Sequence, residues 1–118
     1  MSIRLQNCLA AGATALLSLI GLAAVSFAQD ADMAALIEAG KPIYDTNCAS
    51  CHATNGRGDI GPSLISNGKL RNAEFVVRQI TQGGDEMPGF SSSLSDEEIR
   101  AVATYVMNSW RNEYGPVP

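Results

Sequence analysis

Cys48-Ala49-Ser50-Cys51-His52 is the stretch that decides how this chain is read. The spacing C-x-x-C-H is the pattern by which a c-type haem is attached. The chemistry calls for that spacing. Each thiol adds to one haem vinyl group to give a thioether, and the histidine that follows at once is placed under the iron, where Nε2 can coordinate as the proximal ligand. Other uses of a C-x-x-C pair fit less well. A thioredoxin-like redox pair needs a βαβ setting with its first cysteine at a helix N-terminus; here the pair follows a helical stretch, and no strand alternation of useful length appears. A zinc site takes four ligands, and His52 is the chain's single histidine. The expected cofactor is one haem c, held through Cys48 and Cys51.

Haem iron needs a sixth ligand, and a second histidine is excluded. Beyond the leader the candidates are Met33, Met87 and Met107. Met107 sits at core-like spacing on a helix, and Met33 at the start of one. Met87 lies in the loop Asp85-Glu86-Met87-Pro88-Gly89-Phe90. Pro88 stiffens the chain beside it, and Phe90 can pack on the ring. A loop methionine about 35 residues beyond the proximal histidine can reach the far face of the haem. The expected metal ligands are therefore His52 and Met87.

The chain has 118 residues, which allows one domain at most. Residues 1–28 read as a secretory signal peptide. Arg4 lies in a short basic start, Leu9–Phe27 is uncharged and apolar, and Ser26-Phe27-Ala28 ends the run with a small residue at each recognition position. Cleavage is expected after Ala28. The rival is an uncleaved anchor, since the run is near the minimum that spans a bilayer. Cys8 precedes the apolar run and is not placed for lipid attachment. Residues 29–118 then form the working domain, with seven basic side chains against twelve acidic, a balance of −5. That balance argues against nucleic acid, whose affinity comes from neutralised phosphates, and against anionic lipid. A 90-residue chain is marginal by apolar burial alone, so a covalently held cofactor would help to complete its core.

Three helices are expected. The first covers about Asp32–Asn47, with a kink or restart near Gly40 because Pro42 removes a backbone donor. The second covers about Ala73–Gln82, between Asn72 as N-cap and Gly83 as stop. The third covers about Asp96–Ser109. Ser95 and Glu98 make a capping box, Leu94 and Ile99 a hydrophobic staple, and Ile99, Val102, Ala103, Val106 and Trp110 form an apolar stripe. Ala53–Gly68 and Gly84–Leu94 are long for loops of a compact domain and read as functional. Arg57-Gly58-Asp59 spells a cell-adhesion tripeptide, which a tight glycine turn explains.

The ordered set resembles the class I c-type cytochromes over Gly40–Trp110. It comprises Gly40-x-x-x-Tyr44, the attachment motif, Gly61-Pro62-Ser63-Leu64, Met87-Pro88 and Ala103-Thr104-Tyr105-Val106. The resemblance implies an all-α, small cytochrome c-like fold of three main helices and long loops wrapped around one haem. It implies that the Pro62 carbonyl accepts a hydrogen bond from His52 Nδ1–H, which makes Pro62 part of the cofactor site, and that Gly40 and Tyr105 mark a close helix crossing with Tyr44 at the same junction. Arg57, Lys69, Arg71 and Arg78 are candidate propionate partners. The function implied is one-electron transfer in the periplasm, not enzymatic catalysis. The redox partners would be a dehydrogenase as donor and an oxidase or another cytochrome as acceptor, with no membrane binding unless the leader is kept. The ending Asn108-Ser109-Trp110-Arg111-Asn112 is similar to that of cytochrome subunits and domains of alcohol and aldehyde dehydrogenases, with Arg111 where those carry glycine. A dedicated dehydrogenase subunit is thus one alternative. A haem enzyme or sensor with an open sixth site is another.

Overall fold

The computed structural model describes residues 17–118, with side chains from Gln29 onward. The first part of the leader, including Arg4 and Cys8, lies outside the described residues, as do the side chains around the cleavage position. Helix α1 runs Leu17–Asn47, α2 is one turn at Ala49–His52, a 3-10 turn covers Gly68–Arg71, α3 is Ala73–Gln82 and α4 is Asp96–Met107. Among the described residues the β pairing is a single isolated bridge between Gly84 and Met87. The three main helices lie where expected, except that α1 begins at Leu17 rather than near Asp32. Among the described residues no helix is long and apolar enough to cross a membrane.

The restart expected near Gly40 does not occur. Helix α1 passes through Pro42 without interruption. Proline in a helix interior loses one hydrogen bond and costs about 3 kcal/mol. Two neighbours offset that loss: Gly40 is buried, and Tyr44 is fully buried two residues beyond the proline. Pro42 itself faces water, where the carbonyl that loses its partner can be solvated.

Helices α3 and α4 start where their caps place them. Asn72 Oδ1 accepts from the Phe75 amide at 2.9 Å. Ser95 Oγ accepts from the Glu98 amide at 3.2 Å, and the Glu98 carboxylate accepts from the Ser95 amide at 2.8 Å. Replacing an N-cap serine by alanine costs about 1 kcal/mol. Ser95→Ala should therefore lower the melting temperature of the haem-loaded protein by about 4–8 °C, measured by circular dichroism, with the visible spectrum unchanged. Helix α4 ends two residues earlier than expected: Asn108 leaves the helix at φ −126°, and Trp110 and Arg111 beyond it stand at positive φ.

The core lies where α1 crosses α4. A Cβ at Gly40 would overlap the Ala101 carbonyl and the Tyr105 Cβ, so the two helix backbones meet with no side chain between them. Beside that contact, Tyr44, Tyr105 and Trp110 form a tilted aromatic cluster with ring centroids 4.9–5.5 Å apart. Trp110 also covers Gly56, where a Cβ would run into the indole. The last helix is thereby packed onto the loop that follows the attachment motif.

The chain beyond Trp110 does not fray. It turns back along α4: the Tyr114 amide donates to Met107 O, the Asn108 and Gly115 groups bond each other twice, and Arg100 Nε donates to Val117 O at 2.9 Å. Val117 is buried at the end of this return.

Candidate functional site

Cys48, Cys51 and His52 sit on or beside the single turn of α2, which follows α1 with one residue between them. The amide of Cys48 bonds back to Tyr44 O, and those of Cys51 and His52 bond back to Cys48 O. Both thiols are free and half-buried. Burial, with the neighbouring Cys51 thiol as the lesser cause, pushes the Cys48 thiol up to about 11, so it is protonated at neutral pH. Tyr44 is also raised, first by burial; its hydroxyl stays protonated and donates to Ala53 O at 2.7 Å, tying the helix to the turn after His52.

His52 is buried. Its Nδ1 lies 2.9 Å from the Pro62 carbonyl oxygen. A carbonyl can only accept, so Nδ1–H is the donor of this bond, and Nε2 is the ring nitrogen left to face a metal. The segment that brings Pro62 there is folded against α2 itself. The Gly58 amide donates to His52 O, the Gly61 amide to Cys51 O and the Leu64 amide to Gly56 O. Gly61 has a role that the motif alone does not display. The His52 ring lies on its face, and a Cβ there would come within 2.8 Å of the ring. Arg57-Gly58-Asp59 is part of this same turn, with Gly58 in a left-handed conformation.

Met87 is half-buried in a tight turn closed by two reciprocal bonds, Gly84 N to Met87 O at 3.0 Å and Met87 N to Gly84 O at 2.8 Å. The turn is anchored to α3. Gly83 has a φ of +71°, a Cβ at Gly89 would meet the Gln82 carbonyl, and the Phe90 amide donates to Ile80 O. Gln79 Nε2 lies 3.7 Å from Met87 Sδ, a contact that no sequence signal marks. The other methionines have different surroundings. Met107 is 1% exposed in the core, and Met33 lines a surface groove with Ile37, Asn108 and Glu113.

Of the basic candidates, Arg71 stacks over the Tyr114 ring at 5.5 Å, and Arg78 over Phe75 at 5.9 Å with Glu74 4.0 Å away. Both have protein partners already.

The residues present fit a covalently attached haem. Two free thiols are separated by one helical turn, a histidine beside them has its other nitrogen already engaged, and a bare glycine face lies under its ring.

Comparison with known proteins agrees. Residues 35–106 match the family described as cytochrome c oxidase, cbb3-type, subunit III. Cytochrome c6 of Gracilaria tenuistipitata var. liui is 38% identical over 85 residues, covering 67% of this chain and 78% of that protein. The structure of cytochrome c6 from the diatom Phaeodactylum tricornutum superposes with a TM-score of 0.57 at 39% identity, over 63% of this chain and 93% of the other. Cytochrome cL from the methylotrophic bacterium Methylophaga aminisulfidivorans superposes with a TM-score of 0.54 at 26% identity, over 60% of this chain and 51% of the other. The chain thus belongs to the class I mono-haem c-type cytochromes, in the family of the cbb3-type subunit III domain, and is a small electron carrier with one covalently bound c-type haem.

Proposed function

We propose that residues 29–118, released from the leader by cleavage after Ala28, act in the periplasm as a soluble one-electron carrier between a dehydrogenase and a respiratory acceptor. Cys48 and Cys51 would hold the haem through thioether bonds, and His52 Nε2 and Met87 Sδ would be the protein's two iron ligands. The observation that carries this reading is the His52–Pro62 bond, which leaves Nε2 as the one coordinating nitrogen of the chain's single histidine.

When bound, the haem supplies a reversible Fe(III)/Fe(II) couple. The chain's own residues determine how that couple is used. Pro62 O keeps the proton on Nδ1 and raises the basicity of Nε2. The soft thioether of Met87 favours the reduced state. With His52 and Met87 both engaged, O₂ and peroxide would find no place to bind. The acidic balance of −5 favours partners with a basic docking face, and contact with them should be small and brief.

The ending that resembles those of dehydrogenase subunits is used inside this domain. Asn108, Trp110 and Asn112 bond or pack against their own fold. The motif is thus accounted for within this fold and gives no independent support to a fixed partner subunit.

Optical spectra of the haem-loaded wild type test the proposal. A weak near-infrared band in the ferric state and a ferrous state inert to carbon monoxide are expected. Ready binding of carbon monoxide would put an open-site enzyme or sensor in its place.

A further inference from the structure

Asn112 is 1% exposed and uses its whole carboxamide. Nδ2 donates to Leu64 O at 2.8 Å and to Val106 O at 3.1 Å, and Oδ1 accepts from the Ser66 amide at 2.9 Å. The two carbonyls require the donor end and the amide requires the acceptor end, so the orientation is fixed by its partners. Leu64 and Ser66 close the segment that starts at Gly61. Its near end is tied to α2 through the Gly61 amide. Pro62 has no N–H of its own to anchor it, and its ring is exposed. Ser66 stands at a φ of +51°, a conformation that non-glycine residues keep only when surrounding bonds hold it. The tail residue Asn112, 50 positions beyond Pro62 in sequence, thus sets the far end of the loop whose carbonyl engages His52.

We propose that Asn112 is a positioning residue for the proximal ligand. By clamping Leu64 and Ser66 to α4 it holds the Pro62 carbonyl on His52 Nδ1–H, and through that bond it sets the electron density at Nε2 and the reduction potential. The inference rests on His52 being the proximal ligand. The direction follows from the bond. A looser Pro62 carbonyl weakens the Nδ1–H···O contact, makes Nε2 a poorer donor and stabilises Fe(III) less, so the potential rises.

The test uses haem-loaded protein and three variants. Asn112→Ala removes the clamp. Asn112→Ser keeps one polar group but cannot span three partners, and carries the test if the alanine variant fails to accumulate. Val117→Ala removes buried apolar atoms from the same tail, whose bonds at this position go to Arg100 and Thr104 of α4, and controls for lost stability. The reduction potential and the solvent exchange of the His52 Nδ1 proton, followed by NMR, are the readouts. Direct second-shell losses change metal affinity by about 10–100-fold. Asn112 acts one bond further out, so Asn112→Ala should shift the Fe(III)/Fe(II) ratio at fixed potential by about threefold toward Fe(II) and speed proton exchange by about tenfold. The serine variant should move both in the same direction, and Val117→Ala neither. If the asparagine variants melt lower yet keep the wild-type potential and exchange rate, Asn112 is an ordinary structural bond and the proposal is overturned. If wild type itself shows no protected Nδ1 proton and no histidine ligation, the proximal assignment fails, and this inference with it.

Discussion

Gly40→Ala should destabilise the haem-loaded protein by about 3 kcal/mol, although helix propensity alone predicts a gain. In an open helix interior, alanine is more stable than glycine by about 1 kcal/mol. Here the added methyl would overlap the Ala101 carbonyl and the Tyr105 Cβ. Two of the three atoms nearest it are backbone atoms of α4, so no rotamer change relieves the clash and the helices must separate. Overpacking a tight site costs about 1–3 kcal/mol and occasionally more, and this contact is backbone to backbone. For a domain of this size, 3 kcal/mol lowers the melting temperature by roughly 12–24 °C. Gly68→Ala is the matched control. A Cβ at Gly68 meets nothing within 4 Å, and its effect should stay within about 0.5 kcal/mol. Thermal melts of the three proteins decide the matter. A stabilised Gly40→Ala would mean that α1 and α4 do not cross there.

The parts of the fold that were legible are those with local chemistry. Asn72, Ser95 and Glu98 announce the starts of α3 and α4 because their side chains bond backbone amides three residues away. The attachment motif was legible because covalent chemistry fixes its spacing within five residues. The continuity of α1 through Pro42 was not, because what offsets the proline is the burial of Gly40 and Tyr44 against a helix some sixty residues away. The ordered tail was hidden for a related reason. Asn108, Asn112, Thr104 and Arg100 hold it by bonds from side chain to backbone, and such bonds leave no periodicity to read. The same holds at the site. His52 and Met87 stood out by scarcity and by loop context, whereas Gly61, Gln79 and Asn112 matter through contacts that only the folded chain creates.

Met87→Ala should have the largest effect on the cofactor. The Met87 turn is closed by its own Gly84–Met87 pair and anchored to α3 through Gly83, Gly89 and Phe90. These are backbone contacts, which a side-chain truncation at position 87 leaves in place. The loop should therefore keep its course while the thioether is lost. Among the described residues no other methionine can replace it, since Met107 is packed in the core and Met33 lies on α1 in a separate groove. The variant should retain its haem, because Cys48, Cys51 and His52 are untouched. Its ferric near-infrared band should vanish, and its ferrous form should bind carbon monoxide. Losing a ligand that favours Fe(II) should also lower the potential, by on the order of 0.1 V within the roughly 0.8 V range that axial ligation commands. Electrochemistry and carbon monoxide titration of the pair of proteins measure both effects. A variant that keeps the band and stays inert would place the sixth ligand elsewhere. A wild type that already lacks the band would show that the Met87 turn, for all its backbone bracing, does not serve the iron.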